Sequence, residues 1–441
     1  MKRLLAFVCL FPALHLSAQT PAPPALSPSN GLALDECLKL ADGQQPALAA
    51  AAAGEAAAGE AVGEAKAPYY PQVDFNAGYH RWQRHAFLPS GLVIPGQGVP
   101  DLIGPLNDWN GGVASRLTLF DGGERRAGFD AARARLAGAA ADTSATRADV
   151  RLNVQTAFYA VAAAQDLQAV AKRNFARTEA HLRLAEARHA SGAVPSADVF
   201  RMQAEVANAR LEVINAASRV RVALGRLNTA MGRAASTPLT ITPPPPATPP
   251  PDPAALDAAV GRALDHRPEI TAGEKRTEAA RAAVQAARAA RAPKVRADAA
   301  FGWRDTVFLP DTQEWQAGLS IDLPLFDAGS RAHHLARSKA ELAREEAGFE
   351  SRRLQIREEA WSAAAEVDRA WAVIAANESA VLASEESLRV VRERYENGAA
   401  VITDLLDTQT TLARAESSLA EARWNYLAAR AMFDRAVGAG P

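Results

Sequence analysis

The chain has 441 residues, with 49 Lys and Arg against 50 Asp and Glu and a formal net charge of −1. That balance excludes the basic footprint of a nucleic-acid binder, and nucleic acid is not expected among the partners. Two cysteines, an aromatic share of 6% and abundant Ala and Arg fit a large globular core poorly and suit long helices packed closely together.

The N-terminus "MKRLLAFVCLFPALHLSAQT" has a basic start at Lys2 and Arg3, an apolar stretch from Leu4 to Leu16, and small residues at Ser17 and Ala18. This is the pattern of a secretory signal peptide over residues 1–18, and the run is too short to span a membrane as a helix. A buried N-terminal helix is the alternative, disfavoured by the Pro-rich linker 19–30 that follows at once. Cys9 lies within the signal, which leaves Cys37 without an intramolecular disulfide partner in an oxidising compartment. No later stretch is apolar for about 18 residues, so any membrane crossing falls to strands.

The rest is a tandem repeat. "LALDECLKLADGQQPAL" from Leu32 resembles "AALDAAVGRALDHRPEI" from Ala254, with Pro46 and Pro268 standing 222 residues apart. Further on, "LFDGGERRA" from Leu119 resembles "LFDAGSRA" from Leu325, and the spacing falls to 206 residues between Phe120 and Phe326. Gly192 and Gly398, Asp198 and Asp404, and Gln203 and Gln409 keep that spacing. The 16-residue difference is an insertion in the first copy, within the Gly/Pro-rich stretch between Phe87 and Leu106. The expected organisation is a first repeat over 31–235, a Pro-rich connector over 236–253 and a second repeat over 254–438.

Each repeat opens with two helical segments. Strands are then expected at about 72–82 and 110–120 in the first copy, and at about 294–304 and 313–325 in the second. In each, apolar and polar residues alternate, as in Val73, Phe75, Ala77 and Tyr79 against Asp74, Asn76, Gly78 and His80. Strands of about 9–11 residues suit an outer membrane crossed at a tilt. Trp82, Trp109, Trp303 and Trp315 fall near strand ends, where an aromatic girdle belongs. The alternative is an antiparallel sheet with one face on a soluble core. Four strands cannot close a membrane barrel, and an open edge in lipid is forbidden. Two chains would supply eight strands and three would supply twelve; the pattern does not choose.

Very long helices follow the strands. The stretch from about Gly123 to Ser191 would run about 100 Å at 1.5 Å per residue. Large residues recur every seventh position at Val199, Val206, Val213, Val220 and Leu227, and at Leu405, Leu412, Leu419, Tyr426 and Phe433. Ala209, Ala216, Ala223, Ala415, Ala422 and Ala429 sit three residues on or further along the same seam. Taken alone, this half reads as a soluble coiled coil.

The pieces "LALDECLKLADGQQPAL", "PQVDFNAGY", "LFDGGERRA", "RHASGAVPSADV", "LPLFDAGSRA" and "RYENGAAVITDLLD" together resemble the outer-membrane efflux proteins, the TolC-like family. The resemblance covers essentially the whole mature chain. It implies a mixed α and β membrane protein: a transmembrane β-barrel shared between protomers, four strands per chain, continued by an α-helical coiled-coil tunnel in the periplasm. It implies a homotrimer in the outer membrane of a Gram-negative bacterium, in contact with outer-membrane lipid. The expected partners are a periplasmic adaptor and an inner-membrane efflux pump or ABC transporter. The implied activity is passive export of small toxic compounds, without catalysis or cofactor. A type I protein secretion channel and a pore-less periplasmic coiled-coil adaptor are the alternatives.

Gly192 and Gly398 suit left-handed caps that turn the chain between helices. The resemblance makes Arg188, Gly192, Arg394 and Gly398 candidate adaptor-contact tips. It makes Asp404 and Asp407, three apart on one helix face, the acids ringing the tunnel mouth, where converging carboxylates favour cations. Acids near a helix N-terminus also complement its dipole without any ring. Asp198 and Tyr395 match positions that hold the mouth closed. The family's arginine two residues past the second tip Gly is replaced by Ala400, which removes an Arg-centred clasp there. In the first copy the position matching Asp407 is Arg201, so only the second tip carries paired acids.

Overall fold

The structure, a computed structural model, describes residues 31–83, 86–87, 102–103, 106–245, 248–250, 253–308 and 311–439. The expected signal peptide and the linker 19–30 lie outside the described residues, as does most of the insertion.

In the first half, α1 (Leu34–Gln44) and α2 (Pro46–Lys66) lead through a short 3-10 turn into β1 (Gln72–Trp82). A small ladder of β2 (Ala86–Phe87) and β3 (Leu102–Ile103) follows, then β4 (Leu106–Phe120), α3 (Glu124–Ala190) and α4 (Ser196–Ala230). The second half runs α5 (Pro253–His266), α6 (Pro268–Ala289), β5 (Lys294–Asp305), β6 (Gln313–Asp322), α7 (Ser330–Glu396) and α8 (Ile402–Ala436). Pro46 and Pro268 each open a helix, where a missing N–H costs no bond. α3 and α7 are both 67 residues long, and α4 and α8 are both 35. Every boundary of these four helices keeps the 206-residue spacing of the repeat.

The four long strands form one antiparallel sheet in the order β1-β4-β5-β6. The register places Phe75 opposite Val113, Val113 opposite Phe301, and Phe301 opposite Trp315, so one face carries a continuous apolar row. That face is bare: Phe75 is 72% exposed, Trp315 75% and Leu319 73%. No helix covers it among the described residues, which removes the reading of a sheet resting on a soluble core. The other face is polar and crossed by ion pairs, Arg296 to Asp322 at 2.7 Å and Arg304 to Asp108 at 2.7 Å.

Two strand limits differ from expectation. β4 begins at Leu106 rather than 110, because β1 continues to pair as far as Trp82 opposite Leu106. β6 stops at Asp322 rather than 325, because Pro324 has no N–H to donate to a ladder. Its counterpart in β4 is Thr118, where pairing continues through a bulge to Phe120. Trp82 also departs from the girdle expectation. It shares parity with His80, so it points to the polar face and donates its indole N–H to Asp108 at 3.0 Å. Trp109, Trp303 and Trp315 lie in the apolar parity, with Trp109 against Tyr79 at 4.3 Å between ring centroids.

The turn from sheet to tunnel is built twice from the same residues. Asp121 accepts the N–H groups of Gly123 and Arg125, both at 3.0 Å, and pairs with the Arg125 side chain at 2.7 Å. Asp327 does the same for Gly329 at 3.1 Å and Arg331 at 2.9 and 2.6 Å. The repeated Asp-x-Gly-x-Arg spacing is therefore a helix-capping corner that neutralises the orphan donors of a 67-residue helix. Gly123 and Gly329 adopt φ of 95° and 86°, and Ala328 stands at φ 52° where the first copy has Gly122.

α3 pairs with α4 and α7 with α8, while α3 also lies against α8 and joins the two hairpins into one wall. The paired seams differ in depth. On α8 the large positions Leu405, Leu412, Tyr426 and Phe433 are buried, whereas of the large positions on α4 Leu227 is buried and Val199, Val206, Val213 and Val220 are half-buried, with Ala209 and Ala216 buried beside them. Among the described residues α8 packs extensively along both α3 and α7, and α4 packs extensively along α3.

Around the middle of the wall α1, α2, α5 and α6 pack as a belt on α3 and α7. The inter-repeat connector fastens to it: Leu32 forms a parallel bridge with Ile241, and the Tyr426 hydroxyl donates to the Thr248 carbonyl at 2.7 Å. A Cβ on Gly31 would meet the Ile241 backbone at 2.7 Å, so only Gly allows this approach. Beneath the belt, Arg267 pairs with Glu269 at 2.9 Å and Glu359 at 2.5 Å, and Arg435 reaches Glu269 at 2.5 Å. Burial disfavours the Glu269 carboxylate, but the hydrogen bonds from Arg267 and Arg435 prevail and bring its pKa down to about 2.

The stability from Glu269 is complete above an unfolded glutamate's pKa of about 4.3 and fades as pH falls through the folded value. Glu269→Gln is expected to lower the unfolding temperature at neutral pH. The difference from the parent protein should close between about pH 4.5 and 2 as the native carboxylate also takes up its proton. Unfolding followed by circular dichroism across that range checks this; a gap that persists at the acid end contradicts it.

Candidate functional site

The hairpins end in two tips of the same construction. In the first, Gly192 donates to the His189 carbonyl at 2.9 Å and Ala193 to the Arg188 carbonyl at 2.8 Å. In the second, Gly398 donates to Tyr395 at 3.0 Å and Ala399 to Arg394 at 2.7 Å. These paired bonds cap the last carbonyls of α3 and α7 and require the left-handed φ of 77° and 78° that Gly192 and Gly398 adopt. The same closure recurs at Gly232 and Gly438, at the ends of α4 and α8.

Arg188 and Arg394 are not equivalent in what they touch. The Arg188 guanidinium crosses to the other tip, donates to the Tyr395 carbonyl and lies 4.8 Å from the centre of the Tyr395 ring. One tip thus holds the cap of the other. Arg394 is exposed and donates to the Ala399 carbonyl of its own turn at 3.2 Å.

Tyr395 is 1% exposed, packed among Ala185, Met202, Leu388, Ile402 and Leu405. Its hydroxyl has no hydrogen-bond partner among the described residues. Burial raises the phenol's pKa, the Asp198 charge raises it further, and Arg188 opposes both. Asp198 is half-buried in the first turn of α4. Ala400 is half-buried at the edge of the same cluster, where it makes an apolar contact.

Asp404 and Asp407 are both exposed on α8. Neither has a cationic side chain within ion-pair distance among the described residues. Asp404 occupies the first turn, the place the dipole favours. One chain therefore leaves both carboxylates bare and on one side of the wall.

Above the tips lies a polar layer. Gln409 donates to Thr178 at 2.5 Å and to Asn174 at 3.2 Å, and Arg177 grips Glu416 at 2.5 and 3.1 Å. His181, 5% exposed, has its pKa lowered to about 4 by burial first and by Arg392 and Arg177 next. The recurrence of Gln203 and Gln409 was visible in the sequence, but their partners were not. No group of three or more His, Cys, Asp or Glu among the described residues could hold a metal. No described helix is long and apolar enough to cross a membrane.

The profile of the outer membrane efflux proteins matches residues 37–233 and 259–439, one match to each repeat. The chain belongs to the outer membrane efflux protein family. Protein CyaE of Bordetella pertussis is 31% identical over 410 residues, covering 88% of this chain and 80% of that protein. The pyoverdine export outer membrane protein OpmQ of Pseudomonas putida is 31% identical over 187 residues, 40% of this chain and 38% of that one. The solved outer membrane protein VceC of Vibrio cholerae superposes with a TM-score of 0.78 at 22% identity, covering 92% of this chain and 96% of that one. Family members are homotrimeric outer-membrane channels rather than enzymes, and they work with adaptors and inner-membrane pumps. As a member, this chain is an outer-membrane efflux channel protein with a periplasmic helical extension.

Arg188→Ala is expected to release the Tyr395 cap. A loss of about 1.4 kcal/mol at the tip would raise the open population about tenfold. The readout is chymotrypsin cleavage after Tyr395 in the purified protein; an unchanged cleavage rate removes the Arg188 contact as a tip fastening.

Proposed function

We propose that the chain is the outer-membrane channel of a tripartite export system, a passive pore that carries small toxic compounds from a periplasmic adaptor and inner-membrane pump to the exterior. One observation carries the reading. An amphipathic four-stranded sheet with a bare apolar face is continued by helices of 67 residues, about 100 Å at 1.5 Å per residue. The strands meet the lipid requirement and the helices have the reach to cross a periplasm. A trimer brings the four strands of each copy to twelve, above the minimum of about eight for a membrane barrel. The likeness to OpmQ, a pyoverdine export protein by name, supports a small exported molecule.

In the trimer, Asp404 and Asp407 form two rings of carboxylates at the tunnel mouth. Their exposure on one side of α8, unpaired within the chain, supports this placement. Arg188, Gly192, Arg394 and Gly398 occupy the tips offered to the adaptor, and the buried Tyr395 with Asp198 sits at the closing contact.

The channel is tested in planar bilayers. The purified protein should give discrete conductance steps with cation preference, and deleting its gene should sensitise the cell to small toxic compounds. A protein with no conductance ends the pore reading; loss of one secreted protein without sensitisation ends the small-molecule reading. Asp404→Asn combined with Asp407→Asn should weaken the cation preference in reversal-potential measurements. Unchanged selectivity in the double variant removes the ring assignment.

A further inference from the structure

A groove of about 440 Å³ lies between the start of α3 and the end of α6, just beneath the strands. Small residues line it, Gly122 and Ala289 among them, beside the side chains of Arg126, Asp130, Gln285 and Arg288. None of these side chains belongs to the tips or to the tunnel mouth.

Ion pairs in the wall fix the direction in which the groove opens. Lys294 stands in the polar parity of β5 with Arg296, the face turned to the lumen of the shared barrel, and it pairs with Glu124. Glu124 therefore lies on the lumen side of α3. Arg126 is two residues on and Asp130 six, turned by about 200° and about 240° at 100° per residue, so both look outward. On α6, Arg276 reaches Asp142 at 2.6 Å. Asp142 is about five turns of α3 beyond Glu124, hence again on the lumen side, and Gln285 is turned about 180° from Arg276. The groove thus opens to the outside of the wall. That is the side of the lipid-facing row, whose Val73, Leu119 and Ile321 stand exposed at the tunnel ends of β1, β4 and β6.

Its height is set as closely. Arg126 sits in the first turn of α3 and Arg288 in the last turn of α6. Both guanidiniums hang within one turn, about 5.4 Å, of the helix ends that meet the membrane, which is the depth of lipid headgroups.

The charge of the groove is not satisfied from within. Arg288 has no side-chain partner among the described residues, and Arg126 meets Asp130 only at 3.9 Å, with both side chains largely exposed. The dipole of α6 favours a cation at Arg288, whereas that of α3 opposes one at Arg126. Neighbouring Arg125 resolves the same conflict by pairing with Asp121 at 2.7 Å. Arg126, on another side of the helix, has no acid within hydrogen-bond reach. Two planar guanidinium forks and an amide around one hollow suit the oxygens of a phosphate. The position matching Arg126 in α7 is Ala332, so each chain carries this arrangement once.

We propose that the groove binds the headgroup of an anionic phospholipid from the periplasmic leaflet of the outer membrane. Arg126 and Arg288 hold the phosphate, Gln285 donates to it, and the acyl chains rise along the bare apolar face of the strands. Asp130 competes with the phosphate for Arg126. A headgroup held there fixes the height at which the tube leaves the membrane, a role separate from export itself.

The test titrates the full-length protein in non-ionic detergent with phosphatidylglycerol or phosphatidylcholine and counts bound lipid by native mass spectrometry. Phosphatidylglycerol should bind at least about tenfold more tightly than phosphatidylcholine. Arg126→Gln combined with Arg288→Gln should abolish that preference and leave phosphatidylcholine binding as it was. Arg126→Lys combined with Arg288→Lys should restore part of it. Asp130→Asn, which leaves both arginines in place, should strengthen phosphatidylglycerol binding. Arg389→Gln combined with Arg394→Gln removes the same charge at the far end of the tube and should change nothing. A preference that survives the loss of both groove arginines, or that falls equally in the tip variant, overturns the site. Unchanged affinity in Asp130→Asn overturns it as well, even where the double variant does not fold. Displacement of phosphatidylglycerol by an equal concentration of inorganic phosphate overturns the lipid assignment, since the groove would then take free phosphate.

Discussion

A peptide group on the edge of a sheet in hydrocarbon has no water to turn to, and leaving it unbonded is costly. β1 and β6 each present such a row, on either side of a sheet whose apolar face is already turned outward. The rest of the molecule conforms to the closing of those edges. The strands must leave the membrane in step, and the Asp121 and Asp327 corners start both long helices by the same bonds. The helices must then stay side by side over their whole length, which small seam residues such as Ala209, Ala216, Ala422 and Ala429 allow. The belt of α1, α2, α5 and α6 ties the two repeats together where the wall is otherwise thin.

Much of this architecture could be read from residue order because repetition and parity are local properties. The spacing between Gly192 and Gly398 located both tips, and alternation located the strands. Trp82 shows the limit of reading composition without parity: one position along the strand decides between lipid and the polar interior, and its even register with His80 sent it inward. Pro324 held a signal that could have been used, since a strand that must keep donating cannot pass through it. The Asp-x-Gly-x-Arg repeat was seen as a likeness, and its meaning as a cap emerged only with the hydrogen bonds.

What residue order could not show was the polar traffic between repeats. Arg188 and Tyr395 are 207 residues apart, Gln409 and Thr178 are 231, and Arg177 and Glu416 are 239. Nothing local distinguishes these side chains from the many solvated Arg and Glu of the helices, such as the Arg389–Glu386 pair. They gain their weight from burial, which is a property of the assembled wall. The tip illustrates this. Tyr395 was expected as a closing residue on resemblance alone, and the structure supplies its physical setting, a buried ring under a guanidinium with a hydroxyl left unsatisfied.

The equal lengths of α3 and α7, and of α4 and α8, have a consequence for how such a protein can change over generations. Deleting one residue from a helix withdraws its end by about 1.5 Å and swings everything beyond it by about 100°. A tip shifted that way loses its seam and its level with its neighbour. Seven residues nearly restore the facing side, with a drift of about 20°. A lineage can therefore lengthen or shorten this tube only by near-heptad steps, made in both arms of a hairpin and in both hairpins. Point substitutions accumulate freely on the outside, while helix length stays fixed to the depth of the compartment that the tube has to cross.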